Sequence, residues 1–186
     1  MRPSLTSIGS AMIAAAVSRC SSQWAVGVTA SRWALPSTSR KTAPSDAVLA
    51  SASSFIPASS FADALAGRHR ILVTHPGNPP FLIRVVEIVP APFTDAVTVE
   101  AATALLQSCG MEPVLVHKEV EGFVFNRLQG ALLREAYCLV RDGVVSVDDV
   151  DRIVCDGLGL RWSVIGPFET ADLNTQGGIA AHAAKM

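Results

Sequence analysis

Two ionisable residues in one stretch of this chain have the type and spacing for proton chemistry. The stretch "VTHPGNPPFLIRVVEIV", residues 73–89, puts His75 at the end of one apolar β-type run and Glu87 inside the next. A charge buried without a partner is expensive, so an apolar run carries such residues only when something compensates them. Imidazole exchanges protons near neutral pH, and a carboxylate beside it favours the charged form, so the two could act as a general base and its orienting acid. They could equally form a satisfied structural pair, and spacing alone leaves both readings open. Asn126 is a further candidate: an amide early in an amphipathic helix competes with its own backbone and commonly has a polar partner. His69, His117 and His182 show no partner pattern and are expected at the surface. No cysteine–histidine cluster has metal-ligand spacing, so no metal is expected.

The elements that must position these residues alternate. "DAVLAS" (46–51) is a short strand, and "SSFADALAG" (59–67) a short helix between cap-type serines and a glycine. "HRILVTH" and "FLIRVVEIV" are β-branched strand runs, separated by a Pro-Gly-Asn-Pro-Pro corner that can only turn. "TDAVTVEAATALLQSCG" reads as a helix capped by Thr94 and stopped at Gly110, and "EPVLVHKEV" as another strand. This order implies an α/β sheet, at least partly parallel, with His75 and Glu87 on adjacent strand ends at its C-terminal edge, where such folds bind ligands.

After Gly122 the strands stop. "FVFNRLQGALLREAYCLVRDG" lays Phe125, Leu128, Leu132, Ala136 and Leu139 along one helical stripe and Arg127, Arg134 and Arg141 along another. Gly143 ends that helix. "SVDDVDRIVCDG" adds one capped by Ser146 and ended by Gly157, and "GPFETADLNTQGG" a last short helix with proline near its first turn. The fold class expected is therefore α/β followed by all-α, divided as residues 1–45 with no assignable fold, 46–120 and 121–186.

Composition sets bounds. The chain has 186 residues and a net charge of −1, which gives no reason to expect a nucleic-acid partner. No apolar run reaches the ~18 residues of a membrane span. Cys20, Cys109, Cys138 and Cys155 stand far apart and read as reduced thiols of a cytoplasmic or mitochondrial-matrix protein. The charge is uneven: residues 1–45 hold five bases and no acid, whereas from Asp46 onward ten bases face sixteen acids. An acid-free, Arg- and Ser-rich opening has the composition of a mitochondrial transit peptide. The alternative is a segment that is not selected coding sequence, such as a shifted frame.

The motifs "THPGNPPFLIRVVEIVPAPFT", "KEVEGFVFNRLQGALLREAYCLVRDGVVS" and "GLGLRWSVIGPFETADLN" resemble the L-3-hydroxyacyl-CoA dehydrogenase superfamily. The H-P-x-N-P-P form and the G-x-G-x-R-x-x-x-x-G-P run are most similar to its lambda-crystallin and L-gulonate 3-dehydrogenase branch. The resemblance implies the C-terminal part of a Rossmann-type NAD-binding domain followed by part of a helical substrate and dimerisation domain. It implies NAD as cofactor, a 3-hydroxy acid or 3-hydroxyacyl-CoA as substrate, and a homodimer formed through the helices. It assigns His75 as the base that takes the substrate hydroxyl proton and Glu87 as the residue that holds the imidazole. Asn126 would bind the substrate oxygen, Ser53 (with Ser54 beside it) would hydrogen-bond substrate and cofactor, and Asn78 would line the nicotinamide pocket.

The chain also departs from that family. Its members begin with a strand, a G-x-G-x-x-G turn and a helix, with an acidic residue about twenty positions on. "SIGSAMIAAA" has one glycine where the fingerprint needs three, and no acid follows before Asp46. "GLGLR" (157–161) follows a helix and reads as a helix end. The chain stops at "AAHAAKM", where family members continue with more helix. Two function classes follow: a dehydrogenase represented by an incomplete chain, or a non-catalytic remnant that associates through its helices.

Overall fold

The structure, a computed structural model, describes residues 43–186, so the acid-free opening lies outside the described residues up to Thr42. Four strands form one mixed sheet in sequential order: β1 (Leu49–Ser51), β2 (Ile71–Pro76), β3 (Val85–Pro90) and β4 (Glu112–Leu115). β1 is parallel to β2 and β3 to β4, whereas β2 and β3 are antiparallel with His75 paired opposite Glu87. β2 is buried at every position, as an apolar run covered on both faces should be. Alternation along the strands sorts two cores. Ile71, Val73 and Val89 pack with Ala58, Ala62 and Phe123, while Leu72, Val86 and Ile88 pack with Ala102 and Leu106. His75 and Glu87 fall in phase with Val73 and Val89, on the face closed by Phe123.

Some local expectations are corrected. The helix after β1 is a single turn, α1 (Ser59–Ala62), whose N-cap position is Ala58 without a side-chain cap. The Ser59 N–H is taken instead by the carboxylate of Glu119, at 3.1 Å. Thr94 does not cap the next helix, α2 (Ala96–Ser108), where Asp95 holds the cap position. The Thr94 hydroxyl accepts the Ala91 N–H at 2.9 Å and donates to the Ile71 carbonyl at 2.6 Å, tying the exit of β3 to the start of β2. β3 begins at Val85 rather than Phe81, because residues 79–83 coil: the Pro79 carbonyl accepts the N–H groups of Leu82 and Ile83 at 3.0 and 2.9 Å. Glu87 is therefore near the start of its strand, not at a C-terminal strand end. It meets His75 because the two strands run in opposite directions.

The chain divides into two compact units between Gln129 and Gly130, within α3 (Phe125–Arg141). At the end of α3 the Arg141 guanidinium pairs with Asp142 at 2.7 Å and holds that exposed carboxyl below the usual carboxylate range. In the second unit α4 (Val147–Arg152) starts at Ser146, whose hydroxyl accepts the Asp149 N–H at 3.2 Å. Gly157 does not end it. The chain continues through π turns over Ile153–Gly159 into α5 (Leu160–Trp162), so "GLGLR" is not a helix end. A Cβ on Gly159 would stand 2.9 Å from the Val154 carbonyl oxygen, which is why a glycine suits this widened turn. α6 (Pro167–Asn174) has its proline in the first turn, and a further helix, α7 (Gly178–Ala183), follows where none was expected. Among the described residues no helix is long and apolar enough to cross a membrane, and no group of three His, Cys, Asp or Glu could hold a metal ion.

Candidate active site

The antiparallel register brings the two candidates of the opening stretch into direct contact. His75 Nδ1 lies 2.6 Å from Glu87 Oε2, and the residues are only 6% and 3% exposed. Two carboxylate oxygens in such a place need donors, and all three contacts are supplied. Oε1 accepts the backbone N–H groups of Val124 at 2.7 Å and Phe125 at 2.9 Å, the residue before α3 and its first residue. Those amides have no partner inside their own helix, and the helix N-terminus favours negative charge, so Glu87 and α3 satisfy one another. Removing one member of such a buried set strands the others, typically at a cost of about 3–5 kcal/mol.

The Nδ1 contact also decides the chemistry of the ring. With a proton held on Nδ1 facing the carboxylate, Nε2 carries the lone pair and is the nitrogen that can accept a proton from another molecule. Two aromatic rings stand beside the imidazole: Phe123, with centroids 5.6 Å apart and planes tilted by 52°, and Phe125, edge-on at 6.3 Å. Chemically, an imidazole so placed can act as a general base with the carboxylate orienting it.

The other expected residues fall on separate segments. Ser53 follows β1, half-buried, and its hydroxyl accepts the Ile56 N–H at 2.9 Å, closing a turn. Asn126, in the first turn of α3, donates its side-chain amide to the Ser54 carbonyl, so the helix holds the loop that carries Ser53. The same loop is gripped again where Gly122 donates to the Phe55 carbonyl at 2.9 Å. Asn78 is exposed on the corner, just past Gly77, whose N–H continues the ladder to Val85 at 3.0 Å. A side chain at Gly77 would collide with Ile83, 2.5 Å from its Cβ position. His69 and His117 are exposed and His182 half-buried.

Sequence reading missed Phe123, Phe125 and the amides of Val124 and Phe125. The available signal was indirect: a buried glutamate needs donors, and "EGFVFN" is a glycine-introduced helix start.

Comparison with known proteins bears on this arrangement. Residues 34–120 match the 3-hydroxyacyl-CoA dehydrogenase NAD binding domain, and residues 122–186 match the 3-hydroxyacyl-CoA dehydrogenase C-terminal domain. The lambda-crystallin of Oryctolagus cuniculus is 47% identical over 130 residues, 70% of this chain and 41% of that protein. A 3-hydroxyacyl-CoA dehydrogenase of Gibberella moniliformis is 44% identical over 140 residues, 75% of this chain and 44% of that protein. The solved structure of an NAD+ dependent dismutase, 5-formyl-3-hydroxy-2-methylpyridine 4-carboxylic acid 5-dehydrogenase, superposes with a TM-score of 0.79 at 30% identity, covering 88% of this chain and 53% of that one. The chain thus spans less than half the length of these curated relatives. With the sheet and the helices after it matched to consecutive domains of one family, the chain belongs to the 3-hydroxyacyl-CoA dehydrogenase family.

Proposed function

We propose that this chain carries the acid–base site of an NAD-dependent dehydrogenase that oxidises the 3-hydroxyl of a 3-hydroxy acid or 3-hydroxyacyl-CoA to the 3-keto product. The observation that carries the reading is the buried His75–Glu87 pair, whose geometry leaves Nε2 as the proton-accepting nitrogen. Nε2 takes the substrate hydroxyl proton, and Glu87, fixed by two amides, stabilises the imidazolium that forms. Asn126 and Ser53 are the proposed donors to the substrate oxygen, Asn126 through the amide hydrogen not used on Ser54. The chemistry that NAD supplies when bound is acceptance of a hydride from the hydroxyl-bearing carbon. Of the residues that would hold it, the described part offers Ser53 after β1 and Asn78 after β2, at the strand ends where α/β sheets take ligands. No described strand passes through a glycine-rich turn into a helix, so no described residue is assigned to the pyrophosphate.

The proposal extends to organisation. Residues 46–120 would be the end of the nucleotide-binding domain and 121–186 the helical domain, a division supported by the family matches that meet at residues 120 and 122. A homodimer through the helices is supported by large apolar side chains left exposed there, among them Val164 at 81% and Phe168 at 77%. The same surface favours the second reading, association with a partner subunit without catalysis. A cytoplasmic or matrix location accords with the reduced thiols of Cys138 and Cys155.

The test is NADH formation with a short 3-hydroxyacyl-CoA and with the matching free 3-hydroxy acid. Turnover that disappears in His75→Gln supports the dehydrogenase. No turnover with either, together with a stable homodimer or partner complex, would favour the non-catalytic reading.

A further inference from the structure

Between the sheet and α3 the chain turns left-handed at two successive residues, Gly122 with φ +74° and Phe123 with φ +49°. Glycine adopts this conformation freely. For phenylalanine it is strained, and such strain persists only where the surroundings over-determine it. Phe123 is also wholly buried, and its ring is one of the two that flank the His75 imidazole. The residues that follow it, Val124 and Phe125, are those whose N–H groups converge on Glu87. Core filling accounts for the burial of Phe123 but not for its backbone, since the neighbouring Phe125 touches the same imidazole from ordinary helical backbone.

We propose that Phe123 is a positioning residue for the His75–Glu87 pair: its ring walls the imidazole so that Nδ1 stays on Glu87, and its left-handed backbone aims the next two amides at the carboxylate. Gly122 makes the turn possible from the other side. A Cβ there would stand 3.0 Å from the Phe55 ring, so the loop bearing Ser53 closes against this turn. One short segment thereby sets the base, its carboxylate and the adjacent loop.

The consequence for catalysis rests on the reading of His75 as the base; the structural readout does not. Nuclear magnetic resonance of the full chain carrying nitrogen-labelled histidine should show the His75 Nδ1–H as a downfield signal protected from water. The His75 ring protons should be shifted by the Phe123 ring. Coil-like positions for both overturn the proposal without any variant. Phe123→Leu keeps apolar bulk but no flat ring. There the Nδ1–H signal should be lost to exchange while the sheet amides stay dispersed, and a retained signal overturns the proposal. Where Phe123→Leu does not fold, Phe123→Met takes its place with the same two outcomes. In turnover, Phe123→Leu should lower kcat by about 10²-fold, the effect of small misplacement of a reacting group, with KM nearly unchanged. Loss of the signal in Phe123→Leu keeps the positioning role whether or not the chain turns over, and a surviving signal overturns it even in an active enzyme.

Discussion

Every residue of β2 from Ile71 to Pro76 is buried, and Leu72, Val73, Val86 and Ile88 are wholly enclosed. Beyond Gly130, Thr170 alone among the described residues is buried, while Val144, Val164 and Phe168 stand mostly in water. The sheet unit can therefore hold what the helical unit cannot: a carboxylate and an imidazole removed from solvent, and a phenylalanine on left-handed backbone beside them. Both features are costly alone and tolerable where each neighbour is itself fixed. The helices instead present amphipathic faces whose apolar stripes gain little from their own unit. On the proposed function, the chemistry would fall to the over-determined region and association to the open one.

Substitutions can break or sharpen that contrast. The largest effects should fall on the buried pair. In assays of turnover, His75→Gln should lower kcat by about 10²–10⁴, the usual contribution of a general base. Near-full turnover would return the pair to a structural role. Glu87→Gln should be of similar size, about 10²–10⁴, through the tautomer rather than the shape. If its amide oxygen stays on the Val124 and Phe125 N–H groups, its NH2 faces Nδ1. The imidazole proton then moves to Nε2, where it blocks proton acceptance. Tautomer-sensitive resonance of His75 should show the switch, and an active Glu87→Gln enzyme would contradict it.

Next comes the packing contrast. Leu72→Ala should destabilise the chain by about 2–5 kcal/mol in urea unfolding, the cost of an enclosed cavity. Asn126→Ala should lower kcat by about 10²-fold through the substrate oxygen. It should also free the Ser53 loop, visible as faster amide exchange at residues 53–56, and should not add to the effect of His75→Gln because both act on one developing charge. The smallest effect is expected at Val164→Ala, within about 0.5 kcal/mol for the isolated chain. A large loss there would mean that the helical face is covered in solution, and light scattering would then be expected to show an oligomer.

Much of the site could be read before the fold was known. The apolar runs around His75 and Glu87 announced two adjacent strands, and the proline-rich corner announced the turn between them. Helix starts were less legible. Thr94 has the chemistry of an N-cap, yet its hydroxyl is spent on a tie between β2 and β3. Serines 59 and 60 yield their place to Glu119, sixty residues beyond Ser59. Local rules rank caps by side-chain chemistry and cannot include a competitor that arrives through tertiary structure. Gly157 and Gly159 look like helix stops for the same reason, and are accommodated by a widened turn.

What the sequence determined by itself was the set of groups: an imidazole, a carboxylate twelve residues on, an amide at a helix start, and two apolar β-type runs that carry the first two on adjacent strands. Tertiary structure decided how those groups work. Only antiparallel pairing sets His75 opposite Glu87 in register. Only the arrival of residues 122–126 supplies the two amides and the Phe123 ring that make burial of the pair tolerable. The physical reason is that periodicity and turn chemistry act over a few neighbouring residues. The donors that satisfy Glu87 come from thirty-seven and thirty-eight positions away, a separation that only the folded chain can close.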